Sequence, residues 1–273
     1  MTSTLSTTTR RTTSADGTEI AYEVHGSGPA LVLVDGAMCQ RAMGPARGLA
    51  EQLATSFTVY AYDRRSRGES GSGTSPYAVA REVEDLVAVI DASGGRADVF
   101  GASSGATLAL EAARQGAPIG RLAVYESPFI VDDTRPPNDP HLPEIVEDMV
   151  ARGRRAEAVK TFLRTVGVPA PVRLLMPLMP AWKRMTAVAH TLPYDLSIVV
   201  GHQQGEPLPV DYYAQVTTRT LVIAGGKSPA YMRHAQAAIA DAVPDARLTT
   251  LPGQTHMIKP KAVAPVLSGF LQR

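Results

Sequence analysis

Hydrophobic positions along the chain alternate between two kinds of run. Ala30 to Val34, Thr58 to Tyr62, Ala97 to Phe100, Leu122 to Tyr125 and Thr220 to Ala224 are short and almost wholly apolar, which predicts strands of a sheet covered on both faces. Ala246 to Leu251 predicts a further strand. Between them lie stretches with helical spacing. Tyr77 to Ala92 carries Val79, Val83, Leu86, Val87 and Ile90 on one stripe, and helices are also predicted over about Gly44 to Ala54, Ala106 to Ala113, Tyr231 to Ala242 and Lys261 to Leu271. Near the start, Asp16-Gly17 separates Thr12 to Ala15 from Thr18 to Val24, a pairing that predicts a hairpin.

Strand and helix in this order predict an α/β fold with a doubly wound, mostly parallel sheet of eight strands. The alternation stops after Tyr125 and resumes near Thr218. In between are the helix-like segments Leu142 to Arg152 and Arg155 to Val166, and a run rich in Pro and Met with Trp182, from Pro169 to Met185. The expected organisation is a tail over residues 1–11 that is disordered, a core built from 12–126 and 219–273, and an inserted helical cap over 127–218.

Composition narrows the class. A chain of 273 residues with 44% hydrophobic residues and net charge +1 has no electrostatic bias toward nucleic acid, so none is expected as a partner. The single cysteine, Cys39, excludes an intramolecular disulfide framework. No run of eighteen apolar residues is present, and no apolar segment follows Arg10-Arg11, so neither a membrane association nor an export signal is expected. The expectation is a cytoplasmic monomer or homodimer.

The most informative stretch is Gly101-Ala102-Ser103-Ser104-Gly105, placed between the Ala97 strand and an Ala-rich helix. A serine at such a turn is held in a strained backbone conformation, with its hydroxyl exposed beside a helix N-terminus, and small residues at 101 and 105 let strand and helix pass closely. This arrangement resembles the nucleophile elbow of the α/β-hydrolase family, and the resemblance extends from about Thr12 to Leu271.

The resemblance implies a set of roles. Ser103 is the nucleophile, and His256, in the loop before the last helix, is its base. His25, His141, His190, His202 and His234 are expected to be solvated or packed, although His190 and His202 could also face the pocket beneath the cap. Most relatives carry the orienting acid after the strand that corresponds to Thr220 to Ala224, but this chain has Gly225-Gly226-Lys227-Ser228-Pro229 there. Some members, certain haloalkane dehalogenases among them, place it one strand earlier, where Glu126 stands; Asp132 and Asp133 are the fallbacks. The backbone N–H groups of Ala37 and Ser104 would form the oxyanion hole.

Two motifs depart from the family pattern. Asp35 stands where many relatives have histidine, and a carboxylate about 5 Å from an oxyanion would cost on the order of 3 kcal/mol at an effective dielectric near 20. It must turn away, be neutralised, or serve another reaction. Asp63 to Ser70 is similar to a family loop, with Ser66 where glycine is usual; it is either a surface turn held by its own Asp–Arg pairs or part of the site. Asp35, Met38, Met176, Met179, Trp182 and His190 are the candidate substrate contacts, with the cap's Met and Trp side chains packing against the sheet domain or roofing an apolar pocket.

The expected function is a serine hydrolase of the carboxylic-ester type (EC 3.1), working without metal or cofactor on an ester, lactone or thioester of a hydrophobic small molecule. A non-hydrolytic lyase, isomerase or cyclase of a natural-product pathway is the alternative, and a catalytically silent ligand-binding member is the second. Serine at the elbow argues against dehalogenase and epoxide-hydrolase chemistry, which would use aspartate.

Overall fold

The computed structural model describes residues 8–74 and 76–272. Its core is one sheet of eight strands: β1 (Arg10–Thr13), β2 (Glu19–His25), β3 (Ala30–Val34), β4 (Thr58–Tyr62), β5 (Ala97–Ala102), β6 (Ile119–Tyr125), β7 (Thr220–Gly225) and β8 (Ala246–Leu251). Their spatial order is β1-β2-β4-β3-β5-β6-β7-β8. The first two strands run antiparallel to their neighbours, and all later pairings are parallel.

Apolar side chains cover both faces because successive residues of a strand point to opposite sides. Leu31, Leu33, Phe100, Tyr125 and Ile223 face one way, against α1 (Ala46–Leu53) and α10 (Pro260–Leu271). Val32, Val34, Val99, Val124 and Val222 face the other, against α2 (Val79–Ala92), α3 (Ser104–Arg114) and α9 (Ala230–Ala242). This double coverage is what the unbroken apolar runs required.

The segment between β6 and β7 holds α4 (Leu142–Ala151), α5 (Arg155–Thr165), α6 (Ala170–Leu175), α7 (Ala181–Ala187) and α8 (Leu192–Val199). Prolines in the first turns of α4, α6 and α8, together with Pro177 and Pro180, keep these helices short. Most of them pack around a separate apolar cluster that includes Leu142, Val146, Val159 and Leu192.

One boundary and one helix differ from the expectation. The tail was expected to be disordered through residue 11, but Arg10 and Arg11 belong to β1, where they pair with Tyr22 and Ala21; residues 1–7 lie outside the described part. Helix α8 has no counterpart in the sequence reading. Its Leu192 and Leu196 join the cap cluster while Ile198 and Val199 join the main core, so it lacks the polar face that helical periodicity detects.

Candidate active site

Ser103 sits between β5 and α3 with φ +55° and ψ −125°. Its N–H donates to the Tyr125 carbonyl at 2.9 Å, which holds the strained turn in place. Both flanking glycines are obligatory by contact. A Cβ on Gly101 would stand 2.5 Å from the Gly105 carbonyl oxygen, and one on Gly105 would stand 2.3 Å from that of Val34.

The serine hydroxyl is 3.1 Å from Nε2 of His256, and Nδ1 of that ring is 3.0 Å from Oε2 of Glu126. Glu126 is fully buried. Its own φ is +50°, its N–H donates to Ile223 at 3.2 Å, and its Oε1 accepts from the Gly225 N–H at 2.7 Å. The loop that lacks the usual acid thus supplies a backbone donor to the acid that comes from β6. A Cβ at Gly225 would lie 2.9 Å from that Oε1, so the position tolerates no side chain while Glu126 reaches across it. The His256 loop is anchored by the Tyr125 hydroxyl donating to Thr255 at 2.6 Å and by Lys227 N–H donating to Gln254 at 2.8 Å. Asp132, one of the fallbacks, instead pairs with His234, and Asp133 is exposed.

Ala37 and Ser104 line the same cavity as Ser103 and His256. Among the described residues, neither backbone N–H is used in another hydrogen bond. The loop that carries Ala37 is held by Asp195 of α8, a residue that the sequence reading passed over. The Asp195 carboxylate takes two bonds of 2.8 Å from Nη2 of Arg67, one of 2.8 Å from Arg64, one of 2.8 Å from the Ser104 hydroxyl and one of 3.3 Å from Met38 N–H. Burial works to raise its pKa, but Arg67 and Arg64, with the bonds from Arg67 and Ser104, hold it below the ordinary carboxylate range.

Asp63 to Ser70 is therefore more than a surface turn: Gly68 and Glu69 are exposed, but the arginines are not. Arg64, Arg65 and Arg67 are 1 to 2% exposed. Arg64 forks onto Glu82 at 2.6 and 2.7 Å, and Arg65 onto Asp85 at 2.7 Å twice. Buried guanidinium groups need such partners, and Glu82, Asp85 and Asp195 come from α2 and α8, outside the loop itself. Ser66 has φ +65°, the conformation that explains glycine at this place in relatives.

The candidate substrate contacts fall elsewhere. Asp35 does not line the cavity; its Oδ2 is buried beside Gly44 and Cys39 without a hydrogen-bond partner among the described residues. Burial raises its pKa to about 7, against the opposing influence of Arg67, the Ala46 N–H and Arg64. The expected neutralisation is thus supplied by desolvation, and no arginine among the described residues donates to the carboxylate; Arg64 meets the Asp35 backbone carbonyl at 3.3 Å. Met38 is buried in the cap cluster, with Met176 and Trp182 packed against it, so these are packing residues. Met179 is 53% exposed on the outer surface. His190 sets both ring nitrogens against carbonyls, those of Ser66 at 2.9 Å and Ala187 at 3.1 Å, and His202 stacks on Phe129 outside the catalytic cavity.

The cavity itself encloses about 270 Å³. Phe162, Val166, Val168, Leu196, Val199 and Met232 give it apolar walls. Apart from Met232, these come from the two cap helices α5 and α8 and the loop after α5, and not from the Met- and Trp-bearing run. Among the described residues, no group of three or more His, Cys, Asp or Glu could hold a metal ion, and no helix is long and apolar enough to cross a membrane.

Comparison with known proteins agrees with this architecture. Residues 24–266 match the alpha/beta hydrolase family. An alpha/beta hydrolase from Sphaerobacter thermophilus DSM 20745 is similar at 51% identity, covering 96% of this chain and 100% of that one, with TM-score 0.87. Two more distant structures share the fold. A hydrolase from Pseudomonas aeruginosa PA01 has 23% identity over 99% of this chain and 100% of that one, with TM-score 0.73. The enol-lactonase from Burkholderia xenovorans LB400 has 20% identity over 97% and 100%, with TM-score 0.72. With the elbow, the sheet order and the family match in agreement, the chain belongs to the alpha/beta hydrolase family.

Proposed function

We propose that the protein is a serine hydrolase that cleaves an ester, lactone or thioester of a hydrophobic small molecule through an acyl-enzyme. The observation that carries this is the continuous hydrogen-bonded line from Ser103 through His256 to Glu126, opening into an apolar cavity. His256 Nε2 takes the Ser103 proton as Oγ attacks the carbonyl carbon. The proton then passes to the leaving oxygen or sulfur as the bond to it breaks. Water, deprotonated by the same nitrogen, attacks the acyl carbon and releases the acid and free Ser103. Glu126 keeps Nδ1 protonated and offsets the charge that develops on the ring. Ala37 and Ser104 N–H groups stabilise the tetrahedral oxyanion. A non-hydrolytic enzyme using Asp35 as acid or base draws no support from a carboxylate that does not reach the cavity.

The test is labelling with a fluorophosphonate, followed by peptide mass spectrometry and by aryl-ester turnover in Ser103→Ala. The label belongs on Ser103, and the variant loses both labelling and turnover. Turnover that survives in Ser103→Ala would overturn the assignment.

A further inference from the structure

Arg135 stands in the wall of the catalytic cavity and is the only lysine or arginine among its described lining residues. Its guanidinium carbon lies 4.6 Å from the centre of the Tyr231 ring, and Nη2 donates to the Thr165 carbonyl. Those are its two partners among the described residues, and no carboxylate is one of them. The fully buried arginines behave differently. Arg41, Arg64, Arg65 and Arg67 each close on at least one carboxylate.

Gln203, Thr165 and Asp195, three other polar side chains of the cavity wall, are committed. Gln203 donates to the Pro128 carbonyl at 2.6 Å and accepts from Asn138 at 2.7 Å. The Thr165 hydroxyl donates to Thr161 at 3.0 Å, and Asp195 is saturated by Arg64, Arg67, Ser104 and Met38. Arg135 therefore keeps a fork of N–H donors with no acid to receive them. Its plane is oriented by the Tyr231 ring beneath it and its reach is limited by the Thr165 bond. A guanidinium edge of this kind fits a carboxylate in two parallel hydrogen bonds, and the half-buried setting strengthens them.

We infer that Arg135 binds a carboxylate of the substrate, so that the molecule cleaved is an ester, thioester or lactone whose apolar body ends in a carboxylate group. The inference rests on the serine-hydrolase assignment and narrows it. Phe162, Val166 and Val168 take the apolar body, and Arg135 takes its charged end. A neutral hydrophobic ester would enter the same cavity and leave the guanidinium edge without an anion.

The experiment compares kcat/KM for carboxylates with that for their methyl esters, placing the charge on either side of the scissile bond. One series is the 4-nitrophenyl monoesters of straight dicarboxylic acids from adipic to sebacic; the other is the butyrate esters of ω-hydroxy acids of matching length. At the length that spans the cavity, in one series or the other, the carboxylate is used roughly 10- to 100-fold better than its methyl ester, the range for a hydrogen-bonded ion pair. In Arg135→Met that ratio falls to near one, and Arg135→Lys, with charge but no fork, retains only part of it. Should Arg135→Met fail to fold, the wild-type ratios and Arg135→Lys still decide. A ratio near one at every length in both series, or a preference undiminished in Arg135→Met, overturns the inference. If the methyl esters turn over with no such preference, this assignment falls alone. If no ester turns over and Ser103 takes no fluorophosphonate label, the serine-hydrolase assignment falls with it.

Discussion

Asp195 accepts a hydrogen bond of 2.8 Å from the hydroxyl of Ser104, the residue after the nucleophile and 91 positions earlier in the chain. The same carboxylate receives Met38 N–H, beside Ala37, and both Nη2 contacts of Arg67. One side chain from the cap thus ties together the two backbone segments that carry Ala37 and Ser104, the proposed oxyanion donors. It also brings a negative charge close to them, which Arg64 and Arg67 compensate.

Removing that carboxylate is expected to reach catalysis through geometry. Asp195→Asn breaks the fork with Arg67 and lets the Ala37 and Ser104 segments drift, so kcat falls roughly 10- to 100-fold, below the full loss of an oxyanion donor, while KM changes little. Stability falls too, by about 3–5 kcal/mol, because the buried Arg67 is left without its counter-charge. Steady-state kinetics and urea unfolding measure the two effects, and an unchanged kcat would remove Asp195 from any positioning role.

Glu126 and Gly225 are expected to fail together. Glu126→Gln leaves the shape intact but disfavours the tautomer that Ser103 needs, and kcat drops roughly 10³- to 10⁴-fold. Gly225→Ala drives a methyl group into the Glu126 carboxylate and acts in the same direction without touching any polar side chain. Asp132→Asn loses a surface contact with His234 and stays within a few-fold of wild type. A severe effect of Asp132→Asn alongside a mild one of Glu126→Gln would reassign the acid.

Chain-length preference should follow the cavity walls and not the Met-rich run. Val168→Phe fills the apolar wall and shifts the optimum of an ester series toward shorter acyl groups. Trp182→Ala, half-buried against the cap cluster, lowers stability by on the order of 2 kcal/mol and leaves the order of preference unchanged. A changed preference in Trp182→Ala would place that side chain back over the substrate.

Asp35 has a pH signature. Burial raises its folded-state pKa from 3.8 to about 7. Between these values the unfolded chain ionises while the folded one holds its proton, so this group makes the protein less stable as pH rises from about 4 to 7, with no further change above. A rise of that size corresponds to on the order of 4 kcal/mol. Asp35→Asn is then more stable than wild type at pH 8, and the advantage shrinks toward pH 4.5. Denaturant midpoints at the two pH values test this; an advantage independent of pH would mean that Asp35 is ionised throughout.

Much of this protein is legible in one dimension. The unbroken apolar runs fix a sheet covered on both faces, the Gly-flanked Ser103 between strand and helix marks the proposed nucleophile, and the proposed serine, acid and histidine follow one another along the chain. These features are local. Strand patterning is a property of neighbouring residues, and the elbow's backbone strain is built by its own glycines. Glu126 could be named, but the side chain that reaches His256 and the Gly225 N–H that holds it come from segments about 100 residues apart.

Tertiary structure alone decided the rest. Charged runs look solvent-exposed in a sequence because an isolated guanidinium belongs in water, yet Arg64, Arg65 and Arg67 are buried by acids supplied from α2, α8 and the first hairpin. Helix α8 escaped detection because it is apolar on opposite sides, and with it went Asp195. The Met and Trp run left packing and a pocket roof equally open because adaptable side chains suit both. Which of the two they do depends on the direction in which short, proline-interrupted helices turn. That direction is set by long-range packing of the cap on the sheet, a free energy shared among residues far apart in the chain and therefore written in no single stretch of it.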